Sequence, residues 1–122
     1  MLNLSSIMIS TGNEEALKKF YEEVLQQPIN EMMGWMVGKT FIGILKHSEV
    51  KGKSKEGPRI MFNLETADVT GEFKRISKID GATIVKEPYQ MPEWDGWIAT
   101  LADPDGNYFQ LMSPWEDMSD KN

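Results

Sequence analysis

The 122-residue chain carries 13 lysines and arginines against 19 aspartates and glutamates, a net charge of −6, with no cysteine and one histidine. Without cysteine there is no disulfide scaffold, thiolate zinc site or cysteine nucleophile, and one histidine excludes a multi-histidine metal site within one chain. The acidic balance argues against nucleic acid, which needs a basic face, and leaves room for a cationic small-molecule partner.

The opening Met1 to Ser6 has no basic leader, and no apolar run reaches the ~20 residues that span a bilayer. No membrane partner is expected, and the expected compartment is cytoplasmic. Ser6 to Ser10 alternates and predicts a strand with Ile7 and Ile9 on one face. Thr11 or Asn13 can cap the helix that follows, and Thr11 with Glu14 has capping-box spacing. From Glu14 to Gln27 the residues Leu17, Phe20, Tyr21, Val24 and Leu25 form one helical stripe, which Pro28 ends. Ile29 to Val50 predicts two strands with Gly34 and Gly38 near their turns, Thr40 to Leu45 being the stronger. Lys51 to Pro58 is polar, charged and punctuated by Gly and Pro, hence a loop.

A second strand-helix unit follows. Arg59 to Leu64 alternates, with Ile60, Phe62 and Leu64 on one face. Asp68 or Thr70 can cap a helix whose stripe is Val69, Phe73, Ile76 and Ile79, stopping near Gly81. Ala82 to Lys86 predicts a short strand, Pro88 to Gly96 a loop, and Trp97 to Leu101 a strand. Asp103-Pro104-Asp105-Gly106-Asn107 is a turn in which Pro fixes one φ and Gly supplies a positive one. Tyr108 to Met112 is the last strand. The tail from Ser113 is polar except for Trp115 and Met118.

The halves share an order, strand, helix, then two or three strands, and Ile7-Met8 of the first recurs as Ile60-Met61 in the second. Alone, each half leaves one face of a small sheet bare. Pairing halves, or pairing chains, is the remedy.

These residues resemble the vicinal oxygen chelate superfamily of glyoxalases, bleomycin resistance proteins and dioxygenases. Phe20-Tyr21 with Val24-Leu25 is similar to its FY..VLG signature. Ala102 to Leu111 is similar to its DPDGN ending. Leu64 to Val69, Gly81, Val85 to Pro88 and Trp94 to Gly96 resemble its middle, so that the likeness spans roughly residues 4 to 114. It implies an α+β domain covering 1–122, built from two βαβββ modules (about 1–52 and 58–115). Their mixed sheets would curve into a cup with the helices outside. It also implies a homodimer.

Most enzymes of this superfamily hold a divalent metal through His or Glu on the first strand, a ligand opening the second module, and Glu on the last strand. Counting from the shared motifs puts those positions at Ser6, Arg59 and Gln110. A serine hydroxyl is a poor neutral ligand, Gln110 offers only an amide oxygen, and a guanidinium has no lone pair to give. Pro58 and Ile60 are no better, and His47 lies elsewhere. The expectation is therefore no metal, no cofactor and no catalytic residue.

Strand alternation turns Ser6, Met8, Ser10, Arg59, Met61, Asn63, Tyr108, Gln110 and Met112 toward the cavity. Flexible apolar groups mixed with hydrogen-bonding ones suit a small organic molecule; the alternative is a cup filled by its own side chains, with Met as gap-filler. Arg59 could hold an anion or pair with a nearby Glu. Trp35, Trp94 and Trp97, with Tyr89, could rim the cup and stack a planar or cationic ligand, or lie at a dimer contact. His47 and the Lys51 to Lys55 run read as solvated. The functional expectation is metal-independent binding of a small, antibiotic-like molecule in an aromatic cleft. The alternative is a lactoylglutathione-lyase-like or dioxygenase-type enzyme with an atypical site.

Overall fold

Each half of the chain opens on a strand followed by a helix, as the repeat implies. The computed structural model describes residues 1–114; Trp115 and Met118 lie outside the described residues. The first half runs β1 (Ser6–Thr11), α1 (Glu14–Leu25), β2 (Gly34–Val37) and β3 (Thr40–Lys46). A 3-10 turn at Gly57–Arg59 leads into β4 (Phe62–Glu65), α2 (Val69–Ser77), β5 (Thr83–Gln90), β6 (Trp97–Ala102) and β7 (Tyr108–Met112). Two mixed sheets result, ordered β1-β3-β2 and β4-β7-β6-β5. In each, the first strand lies parallel to the last, and the remaining neighbours are antiparallel.

The second module has the full βαβββ order, whereas the first contains three strands among the described residues. Where β5 flanks β6 in module 2, the outer edge of β2 is covered by the segment after α1. Asn30 N donates to Gly34 O (2.9 Å), Gly34 N donates to Asn30 Oδ1 (3.3 Å), and Gln27 Nε2 donates to Met36 O (3.4 Å). Those bonds satisfy edge groups that would otherwise ask for a fourth strand.

Both helices are held by the caps their sequences offer. Asn13 accepts from Ala16 N at 3.3 Å and Asp68 from Gly71 N at 2.9 Å. Thr11 instead accepts from Asn13 N and donates to Asp105 Oδ2 at 2.6 Å, 94 residues away. α1 closes at Leu25, with Gln26 in the left-handed region at φ 53°. Its open C-terminal carbonyls are then met from the other module: Arg75 of α2 donates to Glu23 O and Val24 O, both at 2.8 Å. That contact satisfies helix-end acceptors with a charge of the sign the helix pole favours.

One core joins the modules. Leu17, Phe20 and Tyr21 of α1 are fully buried, as are Phe109, Leu101 and Ile44 from the sheets. Each such side chain contributes roughly 1.5–3 kcal/mol by leaving water. Tyr21 sits at the seam, with its ring 6.2 Å from Trp35 of module 1 and 6.1 Å from both Phe62 and Phe109 of module 2. Ile7, Ile9, Phe62, Leu64, Phe109 and Leu111 face the helices as the alternation predicts. Ile60 does not: β4 begins only at Phe62, and Ile60, just past the 3-10 turn, is 81% exposed. β5 also runs past the predicted stop at Lys86, through Pro88 to Gln90. A proline is tolerated there because β5 is the sheet edge and its pairing to β6 shifts register twice, so no ladder bond depends on the missing N–H.

Candidate functional site

The faces turned away from the helices are chemically unlike. On module 1 the alternation of β1 presents Ser6, Met8 and Ser10, and its partners present Phe41, Gly43 and Leu45 on β3 and Gly34 and Met36 on β2. Met8 is 53% and Met36 51% exposed. Gly34 and Gly43 stand opposite each other. A Cβ on Gly43 would come within 2.7 Å of Met8 Sδ, and one on Gly34 would strike the Phe41 ring and the Ile42 carbonyl. The two glycines therefore form a bare backbone floor on which Phe41 and Met8 lie.

Module 2 presents a polar row instead. Asn63 on β4 pairs with Gln110 on β7, Gln110 with Thr100 on β6, and Thr100 with Lys86 on β5. Paired residues share a sheet face, so four strands place these side chains at one level. Gln110 Nε2 donates to Thr100 Oγ1 at 3.1 Å, and Thr100 is only 6% exposed. The carboxamide of Asn63 has no hydrogen-bond partner among the described residues. Above this row lie Glu65, Met112, Ile98 and Tyr89, and below it Tyr108, Ala102 and Thr83. Lys86 Nζ stands 5.3 Å from the centroid of the Tyr89 ring, a cation–π contact that fixes the long side chain along this face.

Of the site residues expected from sequence, Asn63, Tyr108 and Gln110 are brought together on module 2, with Met61 immediately ahead of β4. Ser6 and Met8 lie on the module 1 face. Arg59 is not on a strand: it ends the 3-10 turn, with Nε 2.7 Å from Glu56 Oε2 and Nη2 on the same oxygen. The ion-pair reading of this arginine is the one the structure contains. The tryptophans do not share a rim. Trp35 faces the core at 1% exposure, and its indole N–H donates to Gln27 O at 3.1 Å. Trp97 alternates with Ala99 and Leu101 and so lies on the helix side of its sheet. Trp94 folds back in the β5–β6 loop, where a Cβ on Gly96 would meet its ring. Sequence reasoning missed Thr100 and Lys86. Thr100 was available from the alternation of a strand already recognised, whereas Lys86, also in a recognised strand, is set opposite Thr100 by the register shift between Ile84 and Lys86, which alternation does not announce.

The donor set does not fit a metal ion. Ser6, Arg59 and Gln110 supply no anionic or imidazole ligand, Gln110 has only a neutral amide oxygen to give, and Arg59 is a cation already paired. Among the described residues, no three His, Cys, Asp or Glu side chains cluster as metal ligands would.

The strongest electrostatic feature is the Asp103–Asn107 turn. Asp103 is buried, and burial pushes its carboxyl above the usual range. Four hydrogen bonds oppose that shift: from Tyr21 Oη (2.7 Å), Asn107 Nδ2 (3.1 Å to Oδ2), and the amides of Asp105 (2.9 Å) and Asn107 (3.0 Å). The Tyr21 phenol is raised well above its ordinary value, by burial first and by the Asp103 charge second. This network ties α1 to the β6–β7 turn. It lies inside the molecule, on the helix side, and is architectural.

A family model described as a glyoxalase-like domain matches residues 6–112. Solved structures share the fold at low identity. A glyoxalase/bleomycin resistance protein from Albidiferax ferrireducens is 21% identical, with a TM-score of 0.70 over 90% of this chain and 98% of that one. A glyoxalase/bleomycin resistance protein/dioxygenase family enzyme from Burkholderia phytofirmans is 24% identical, with 0.69 over 92% and 98%. A glutamate-to-glutamine mutant of glyoxalase I from Zea mays is 23% identical, with 0.70 over 89% of this chain and 46% of that one. No curated protein matches the sequence.

Proposed function

The chain belongs to the glyoxalase-like domain family, and from that premise we propose that it is a metal-independent small-molecule-binding protein whose ligand lies across the outward face of module 2. One observation carries the proposal: Asn63, Gln110 and Thr100 stand side by side on three adjacent strands, among Met112, Ile98, Tyr108 and Ala102, with the charged Glu65 and Lys86 on the two outer strands of the same face. With one Gln110 N–H committed to the nearly buried Thr100, the row still offers the amide oxygens and remaining amide N–H groups of Asn63 and Gln110. Few converging polar groups in an apolar setting fix a ligand's orientation, and leaving them unpaired penalises ligands that cannot answer them.

Tyr89 above the row and Tyr108 below it are the aromatic side chains this reading assigns to the ligand. The active unit is a homodimer, in which a second chain covers the exposed Met8, Met36 and Leu45 of module 1; apolar side chains on one continuous face favour such burial. An amide-rich antibiotic such as a bleomycin-type glycopeptide is the first ligand to test, and the net charge of −6 favours a cationic one.

Calorimetric titration of metal-stripped protein is the test. Binding that survives chelator and weakens about tenfold in Gln110→Ala, as loss of a buried hydrogen-bonding group predicts, supports the reading. Binding or turnover that appears only with stoichiometric nickel, zinc or manganese overturns it in favour of the lyase-type alternative.

A further inference from the structure

The 46–55 segment is the basic part of an acidic chain. Lys46, Lys51, Lys53 and Lys55, against Glu49 alone, give these ten residues a charge of +3 with His47 neutral, so the rest of the chain carries −9. The segment is not a loose strap. His47 N donates to Thr11 O at 3.0 Å at one end, and Ser54 N donates to Asp105 O at 2.7 Å at the other. Between them Val50 N donates to His47 O (3.1 Å), and Glu49 N donates to His47 Nδ1 (3.1 Å), which leaves the imidazole proton on Nε2. The loop presses so closely on the β1–α1 turn that a Cβ on Gly12 would stand 2.6 Å from Val50 O.

Held this way, the segment walls a cavity of about 530 Å³ lined by Lys46, His47, Lys51 and Lys53, with Gly12 and Asn13 from the amino end of α1 opposite. Among the described residues none of the three lysines is in an ion pair. Asp105 also lines the cavity, but its Oδ2 already accepts the Thr11 hydroxyl. Three lysines against the single Asp105 carboxylate leave the lining net positive, and an anion joining them relieves their mutual repulsion. The amino pole of the 12-residue α1 adds a partial charge of the same sign, against which Glu14 and Glu15 of its first turn act.

We propose that this cavity is a second binding site, separate from the face of module 2, and that it takes a phosphate- or diphosphate-bearing small molecule. Lysines and an imidazole N–H donate to the phosphoryl oxygens, while Val50 and Pro104 offer apolar wall to the remainder. A nucleic acid or an anionic membrane is disfavoured as occupant, because the −9 carried by the rest of the chain repels an extended polyanion.

The test is titration of the full chain with inorganic pyrophosphate and with a phosphomonoester, followed by backbone amide NMR at low salt. The expected result is saturable shifts at residues 12–13 and 46–53 that weaken about tenfold in the Lys51→Ala/Lys53→Ala variant. The charge-matched control, Lys74→Ala/Lys78→Ala on α2 and its end, retains wild-type affinity; unchanged thermal unfolding shows that both variants fold. Three results would overturn the proposal: no shift in the loop up to about 10 mM pyrophosphate, equal weakening in both variants, or binding to phosphatidylglycerol vesicles without binding to pyrophosphate. None of these bears on ligand binding at Gln110, so each site stands or falls alone.

Discussion

Replacing Tyr21 by phenylalanine removes one oxygen from the core and leaves its packing volume nearly unchanged. The lost bond, Tyr21 Oη to Asp103 Oδ2 at 2.7 Å, is buried on both sides. A hydrogen bond to a charged group contributes ~1.5–3 kcal/mol. Asp103 keeps the Asn107 side chain and two backbone amides, so the expected loss lies in the lower half of that range, ~2 kcal/mol. At roughly 4 °C per kcal/mol for a domain of this size, Tm falls by ~8 °C. The pH profile carries a second signature. The phenol's folded pKa is raised above its unfolded value of ~10. Its contribution is therefore complete below pH ~10 and is lost as pH rises toward the folded value, because only the unfolded chain ionises. Tyr21→Phe abolishes that alkaline decline. Urea unfolding at pH 7 and across the alkaline range measures both. A loss under ~0.5 kcal/mol at pH 7, or an alkaline slope that persists in the variant, would refute the reasoning.

Gly34→Ala drives a methyl into the Ile42 carbonyl and the Phe41 ring and costs at least ~2 kcal/mol. Gly43→Ala meets the mobile end of Met8 first, at 2.7 Å, and costs less; equal losses in chemical denaturation would count against the glycine floor. Arg75→Met removes the donors to Glu23 O and Val24 O, and because the guanidinium is partly exposed the loss is ~1–2 kcal/mol. Hydrogen exchange in that variant should accelerate first at the C-terminal turn of α1.

The fold was legible where chain chemistry is local. The Leu17–Phe20–Tyr21–Val24 stripe and the Asp103–Asn107 turn depend on neighbours within a few residues and formed as read, and of the two caps offered to α2, Asp68 and Thr70, the structure uses Asp68. What failed depended on tertiary surroundings. Pro88 argues for a loop until β5 is known to be an edge, and Ile60 continues an alternation whose strand starts two residues later. The three-stranded first sheet follows from Asn30 and Gln27 reaching β2, which no spacing announces. Alternation alone put Asn63, Tyr108 and Gln110 on one sheet face, where the strand pairing has them. Tryptophan gave no such guide, since a large aromatic suits a core and a cleft alike; Trp35 took the core.

The bonds from Thr11 to Asp105 and from Tyr21 to Asp103 join positions 94 and 82 residues apart. Neither can close until almost the whole chain has been gathered, and closing so long a loop costs entropy before any contact rewards it. Contacts of such separation raise the contact order of the fold, so folding is slower than helix and hairpin formation alone would set. The β6–β7 turn thus completes the hydrogen bonding of residues at the opposite end of the chain, and a chain ending before that turn would leave the Tyr21 hydroxyl without its Asp103 acceptor.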